Sequence, residues 1–155
     1  MKIRKAALAI LFFLGGSCAT LRAEDRKIKR SDLPPAVEAT VSASSVGASI
    51  SGFSMEKENG RIFYEAEMTV KGHSKDILMD SKGEIVEVEE EVAMAQLAPD
   101  VKNGLLAKAG AAKIVKIESI VKKGQLVAYE AQVEKGAKKS EIQVGPQGKT
   151  LRKAE

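Results

Sequence analysis

The clearest hydrophobic pattern in the chain is the alternation in "RIFYEAEMTV", Arg61 to Val70. Ile62, Tyr64, Ala66, Met68 and Val70 fall on one side of an extended strand. Phe63, Glu65, Glu67, Thr69 and Lys71 fall on the other, as the two-residue period of a strand requires. The segment "QLVAYEAQVE", Gln125 to Glu134, repeats the Tyr-Glu-Ala core of that pattern. Ile50 to Lys57 and Lys113 to Lys122 are rich in strand-forming residues and precede these two segments. Between each such pair lies a turn. "ENGR" is a strong two-residue hairpin signal, because Asn59 and Gly60 both tolerate positive φ, and "KKGQ" is its weaker counterpart. A third strand holds Ile77 and Met79, matched by Ile142 and Val144. "DSKG", Asp80 to Gly83, leads to a fourth strand with Val86 and Val88, and "GPQG", Gly145 to Gly148, predicts the same step later.

The helical period appears twice. Pro34 and Pro35 mark a helix start, where a missing N–H costs nothing, with Ser31 or Asp32 as cap. Val37 and Val41 then lie one turn apart. Pro99, Val101 and Leu105 repeat the arrangement, and Gly110 supplies a helix stop. Gly104 inside the second helix costs about 1 kcal/mol relative to Ala, so that helix depends on tertiary packing.

These elements recur in register. Leu33, Pro35, Val37, Ala43, Ile50 and Gly60 match Leu97, Pro99, Val101, Ala107, Ile114 and Gly124 at a constant offset of 64. From Tyr64 and Tyr129 onward the offset is 65, which places one extra residue near Ala128 and predicts a bulge. The expected fold is α+β: two tandem repeats, each one helix packed on about four antiparallel strands. The expected divisions are a signal peptide over 1–23 and repeats over 24–91 and 92–155.

The first residues stand apart from this pattern. Lys2, Arg4 and Lys5 precede the apolar run "AALAILFFL", and small residues follow in "GGSCATLRA". That is a secretory signal pattern, too short to span a membrane, with cleavage after Ala19 or Ala23. Cys18 in "LGGSC" offers the alternative of a lipidated N-terminus, although Gly15 stands where a lipoprotein box wants Leu. The mature chain is expected to be periplasmic or secreted and to lack disulfides, since cleavage beyond Cys18 removes the one cysteine of the sequence.

Export also changes the meaning of the charge. The four basic residues in 1–23 account for the whole formal charge of +4. Residues 24–96 hold 9 basic and 15 acidic residues, and residues 97–155 hold 12 and 6, so the halves carry −6 and +6. Opposite charge favours contact between the halves. A balanced mature chain without a basic, aromatic-interleaved patch excludes nucleic acid as a partner.

Candidate chemistry is sparse. His73, the single histidine, lies in the polar turn "KGHSKD" with no second ligand nearby in sequence, which makes it a solvated turn residue. "EVEEEV", Glu87 to Val92, lacks the Asp/Asn spacing of a calcium loop and reads as the solvated end of a strand plus linker. Glu65 and Glu130 repeat as outward strand positions rather than as a catalytic pair. No phosphate loop, nucleophile elbow or zinc signature is present. No catalytic residue, cofactor or metal is expected.

The units "LPPAV…NG…YEAEM…ILMDSKGEIVEVEEE" and "LAPDV…KG…YEAQV…IQVGPQGKTLRK" resemble the PepSY-like domain family, also described as β-lactamase-inhibitor-like. The resemblance covers Ile28 to Lys153. It implies a secreted or periplasmic bacterial protein that binds another protein through a sheet surface, as an inhibitor or chaperone of a peptidase does. Aromatics dominate such inhibitory surfaces, whereas the outward positions here are mostly Glu, Gln and Lys, which argues against β-lactamase as the target. The expected activity is non-enzymatic binding of an envelope or secreted protein, a peptidase among the candidates, through Phe63, Glu65, Glu67, Glu130 and Gln132. The alternative is a structural or envelope-stress protein acting by self-association.

Overall fold

The computed structural model describes residues 26–152 and 154–155. The expected signal segment, its cleavage positions and Cys18 lie outside the described residues. Eight strands form one antiparallel sheet in sequence order. They are β1 (Arg26–Ile28), β2 (Ala48–Glu58), β3 (Arg61–Val70), β4 (His73–Asp80), β5 (Ile85–Glu91), β6 (Lys113–Lys122), β7 (Gln125–Lys135) and β8 (Lys138–Val144). Two helices, α1 (Pro35–Ser44) and α2 (Pro99–Ala109), connect β1 to β2 and β5 to β6. Among the described residues no helix is long and apolar enough to cross a membrane.

This corrects the expected architecture of two tandem repeats of one helix on four strands. The outer edge of β5 does not close a first unit. It pairs with β6 from Glu87↔Lys122 to Glu91↔Glu118, and the backbone N–H of Val92 continues the ladder to the carbonyl of Ile117. A free strand edge leaves a row of unpaired N–H and C=O groups, and the next strand in the chain satisfies them. The second half also falls short of four strands. After the Gly145–Gly148 turn the chain makes a single bridge, Val144↔Thr150. At the other end, β1 adds a short strand that the alternation did not predict.

Both helices lie on the same face of the sheet. Val37 and Val41 of α1, with Leu33 before it, pack on Phe53, Tyr64, Ala66, Met68, Ile77 and Met79. Val101 and Leu105 of α2 pack on Ile117, Ala131, Val133 and Val144, with Tyr129 and Ile142 at the margin. The two cores join through the register, because Val88 of the first core pairs with Val121, two and four residues from Ser119 and Ile117 on the same side of β6. The hairpins form as expected: Asn59 and Gly60 have φ of 49° and 78°, and Lys123 and Gly124 have 51° and 76°. The β6–β7 register passes from Ile120↔Ala128 to Val121↔Leu126, so Val127 is the extra residue of the bulge. The helix start differs in detail. Neither Ser31 nor Asp32 caps α1; Asp32 instead accepts the Lys29 N–H across a 3-10 turn at Arg30–Asp32.

Turn glycines seat both helices. A Cβ on Gly83 would meet the Ala36 carbonyl of α1, and Thr40 Oγ1 donates 2.8 Å to the Gly83 carbonyl. A Cβ on Gly148 would meet the Asp100 carbonyl of α2, and a Cβ on Gly104 would meet the carbonyl of Gly148. Gly104, costly by propensity, is therefore required by backbone contact. Gly104→Ala should destabilise the protein by about 1–3 kcal/mol through overpacking, where an exposed helix site would gain about 1 kcal/mol. Equilibrium denaturation decides between them, and an unchanged or raised midpoint would contradict this seating of α2.

Candidate functional site

The face opposite the helices carries the polar half of every alternating strand. Its residues form rows across the sheet. One row runs Ser54, Glu65, Leu78, Glu87, Lys122. The next runs Gly52, Glu67, Asp76, Glu89, Ile120, Ala128. A third runs Thr69, Ser74, Glu91, Glu118, Glu130, Gln143. Among the described residues no helix covers this face; from outside the strands, Glu155 reaches it, its N–H donating 2.9 Å to Gln143 Oε1.

Carboxyls are directly opposed in these rows: Asp76 faces Glu89, Glu91 faces Glu118, and Glu118 faces Glu130. Like charges at such positions repel. Partial compensation is visible. Lys116 Nζ lies 2.6 Å from Glu118 Oε1, Lys122 Nζ lies 3.6 Å from Glu87 Oε2, and Lys27 pairs with Glu67. Ser54 Oγ donates 2.6 Å to Glu65 Oε2, and Gln143 Nε2 donates 2.8 Å to Glu130 Oε2. Glu91 accepts the Ser74 N–H, which holds its carboxyl below the usual range. Two carboxyls are nearly sealed from water, Glu118 at 3% and Glu130 at 4% exposure. Glu130 Oε1 is buried with no hydrogen-bond partner, an arrangement that costs about 1–3 kcal/mol.

Burial is the leading cause of the proton affinities here. It pushes Glu89 up to about 9, assisted by the charges of Glu118, Glu130, Glu87 and Asp76. It pushes Glu130 up to about 7 and Asp76 up to about 6, with the nearby Lys116 charge opposing the rise at Asp76. Glu87 and Glu141 rise for the same reason. At Glu87 the Lys122 ammonium and the neighbouring Glu89 side chain oppose that rise without cancelling it.

All five residues expected to bind a partner lie on this face. Phe63 is buried at its margin, Glu65, Glu67 and Gln132 are half-buried, and Glu130 is enclosed. The structure does not bring Glu65 and Glu130 together. Three strands separate β3 from β7, on the order of 19 Å at the spacing of neighbouring strands. Instead it gathers Asp76, Glu89 and Glu118, each offering one oxygen within 4.8 Å of the others. Sequence reasoning missed this group. It treated Glu87 to Val92 as a solvated strand end, whereas β5 is a central strand. The alternation of Glu87, Val88 and Glu89 carried the signal for one face, but only the β5–β6 register brings Glu118 beside it. His73 is exposed at the start of β4, with Nδ1 3.8 Å from Glu91 Oε1.

No family model matches the chain, and no curated protein sequence matches it. Solved structures do share its fold. A DUF2874 family protein from Bacteroides ovatus ATCC 8483 is 19% identical with a TM-score of 0.60, over 78% of this chain and 86% of that one. A protein described as periplasmic from Bacteroides eggerthii DSM 20697 is 16% identical with a TM-score of 0.64, over 79% and 88%. A BLIP-like protein from Bacteroides fragilis NCTC 9343 is 19% identical with a TM-score of 0.57, over 79% and 86%. BLIP-like agrees with the β-lactamase-inhibitor-like half of the expected resemblance; PepSY is not among these descriptions.

The raised carboxyls set a pH dependence. A group whose folded pKa exceeds its unfolded value keeps a proton on folding, so its stabilisation is complete below about pH 4 and is lost as pH rises through the folded value. For Asp76, Glu130 and Glu89 that loss begins near pH 4 and is complete by about pH 6, about 7 and about 9 respectively. Glu91, lowered, acts in the opposite sense but below this window. The melting temperature should fall from pH 5 to pH 9, and Glu89→Gln, which fixes the neutral form, should flatten the fall and raise stability at pH 8. Thermal melts across this range check it; a wild-type curve rising toward pH 9 would contradict the assigned burial.

Proposed function

We propose that the chain is a non-enzymatic protein-binding module of the bacterial envelope and that its open sheet face is the docking surface. The observation that carries this reading is the asymmetry of the sheet. Both helices cover one face, while the other presents rows of acidic and amide side chains with no helix above them among the described residues. A surface of this composition suits a partner presenting Lys and Arg, which gains on-rate and specificity from complementary charge. The fold shared with a BLIP-like protein and with a protein described as periplasmic supports the envelope setting. The amino-terminal signal pattern supports it independently. An inhibitor or chaperone of an envelope peptidase is the specific form this reading takes.

Self-association is less favoured by the edges. The exposed edge strand β8 begins with Lys138 and Lys139, and lysine on an edge discourages further strand pairing.

Capture of envelope proteins on the immobilised mature chain, followed by binding measurements on the partner found, tests the proposal. Glu65→Lys with Glu67→Lys should weaken that partner at least tenfold and reduce its salt dependence. A partner bound with unchanged affinity and salt dependence removes this face from the site.

A further inference from the structure

The β8 end of the open face is occupied by the chain itself. After β8 the Gly145–Gly148 turn sends the backbone back on itself. The Gly145 N–H donates 2.8 Å to the Lys149 carbonyl, and Thr150 bridges Val144. Leu151 is half-buried beside Gly145, where an added Cβ would lie 3.2 Å from Leu151 Cδ2. Glu155 then meets the side chain of Gln143 on β8. Its N–H donates 2.9 Å to Gln143 Oε1, and Gln143 Nε2 reaches its carbonyl at 3.5 Å. One side-chain amide thus offers a peptide unit the donor and acceptor that a neighbouring antiparallel strand would offer. Glu130 sets the direction of that amide. It stands opposite Gln143 in the β7–β8 ladder, is 4% exposed, and accepts 2.8 Å from Gln143 Nε2. An ionised carboxylate only accepts, so Nε2 must face it and Oε1 is left turned toward a backbone N–H.

We propose that the segment following β8 is an exchangeable strap, and that Gln143, oriented by Glu130, reads the backbone of an extended basic peptide at this end of the docking face. The chain's own residues fill the position until a partner's extended segment bearing Lys or Arg replaces them. The strap has the matching chemistry. In sequence it carries Arg152 and Lys153, the residue types that the acidic face suits. Its hold is light. Hydrogen bonds of this kind contribute about 0.5–1.5 kcal/mol each. The charge of Glu155 is felt at Glu87 on β5, and like charges oppose that approach. A segment held by backbone contacts and opposed by its own carboxyl is one that a better-matched peptide displaces. The inference rests on the docking reading for its class of partner, but its test uses no partner protein, so the two fail separately.

Nuclear magnetic resonance of the isotope-labelled mature chain is the test. In the wild type the Ala154 and Glu155 amides should be nearly as ordered as those of β8, and the Gln143 side-chain amide should exchange slowly with water. Glu155→Ala, which keeps the N–H, should preserve both. Glu155→Pro, which removes the N–H, should leave Ala154 as mobile as a free chain and speed exchange at Gln143 at least tenfold. The chain shortened to end at Thr150 is then titrated with the blocked synthetic peptide Leu-Arg-Lys-Ala-Glu, after its sheet resonances have verified the fold. The Gln143 side-chain resonance should shift saturably at about millimolar peptide, the effective concentration of a short tether. The full chain should need at least tenfold more, and a peptide with Pro in the last position should have no effect. Free-chain mobility of Ala154 and Glu155 in the wild type, or a Glu155→Pro variant indistinguishable from it, overturns the strap. A Gln143 resonance that ignores the peptide in the shortened chain overturns the exchangeable site.

Discussion

The pairing of β5 with β6 is the constraint on which the rest of the structure depends. Five residue pairs, from Glu87↔Lys122 to Glu91↔Glu118, turn two halves of the chain into one sheet. With strands strictly alternating, that ladder fixes which side of the second half meets which side of the first. Val88 opposite Val121 puts both helices on one face. The same register puts Glu89 and Glu118 on the other. A slip of one residue would bury the carboxyls under α2 and expose Ile117. The acidic half and the basic half do meet at this seam, through Glu87 and Lys122, but most of the seam's open face is acid against acid or acid against Ile120.

The cost of that arrangement is borne by the geometry around it. Glu118 and Glu130 on the open face lose water although, among the described residues, neither helix packs above them. Burial then favours the neutral acid, and each retained proton removes one repulsion. Lys116, Lys122, Ser54 and Gln143 answer some of the remaining carboxylate oxygens, while Glu130 Oε1 is left without a partner. A sheet built for stability alone would place Thr or Val at such positions. The stacked carboxyls of this face are the feature on which the proposed docking surface rests.

Much of the local structure was legible. Period-two alternation located β3 and β7, Asn59-Gly60 and Lys123-Gly124 located their hairpins, and Pro35 and Pro99 located both helix starts. The one-residue change of offset near Ala128 located the bulge at Val127. The architecture was not legible, because alternation states which residues share a face but not which strand edge meets which. Two closed units and one continuous sheet share the same periodicities and differ in the β5–β6 ladder. The acidic group suffered from the same gap. Asp76, Glu89 and Glu118 are each ordinary outward positions in sequence, and they become a group only when β4, β5 and β6 are neighbours. Gly104 was read as a weakness of α2, and its reason appeared only with the carbonyl of Gly148 against it.

Native-state hydrogen exchange on the backbone amides of β5 and β6 tests the continuous sheet most directly. If the β5–β6 ladder welds the halves into one cooperative unit, the hydrogen-bonded amides between Glu87 and Glu91 and between Glu118 and Lys122 will exchange with the same opening free energy as those of β3 and β7. Ladder amides that exchange many-fold faster, while β3 and β7 stay protected, would show two units that separate at this seam, and would contradict the account.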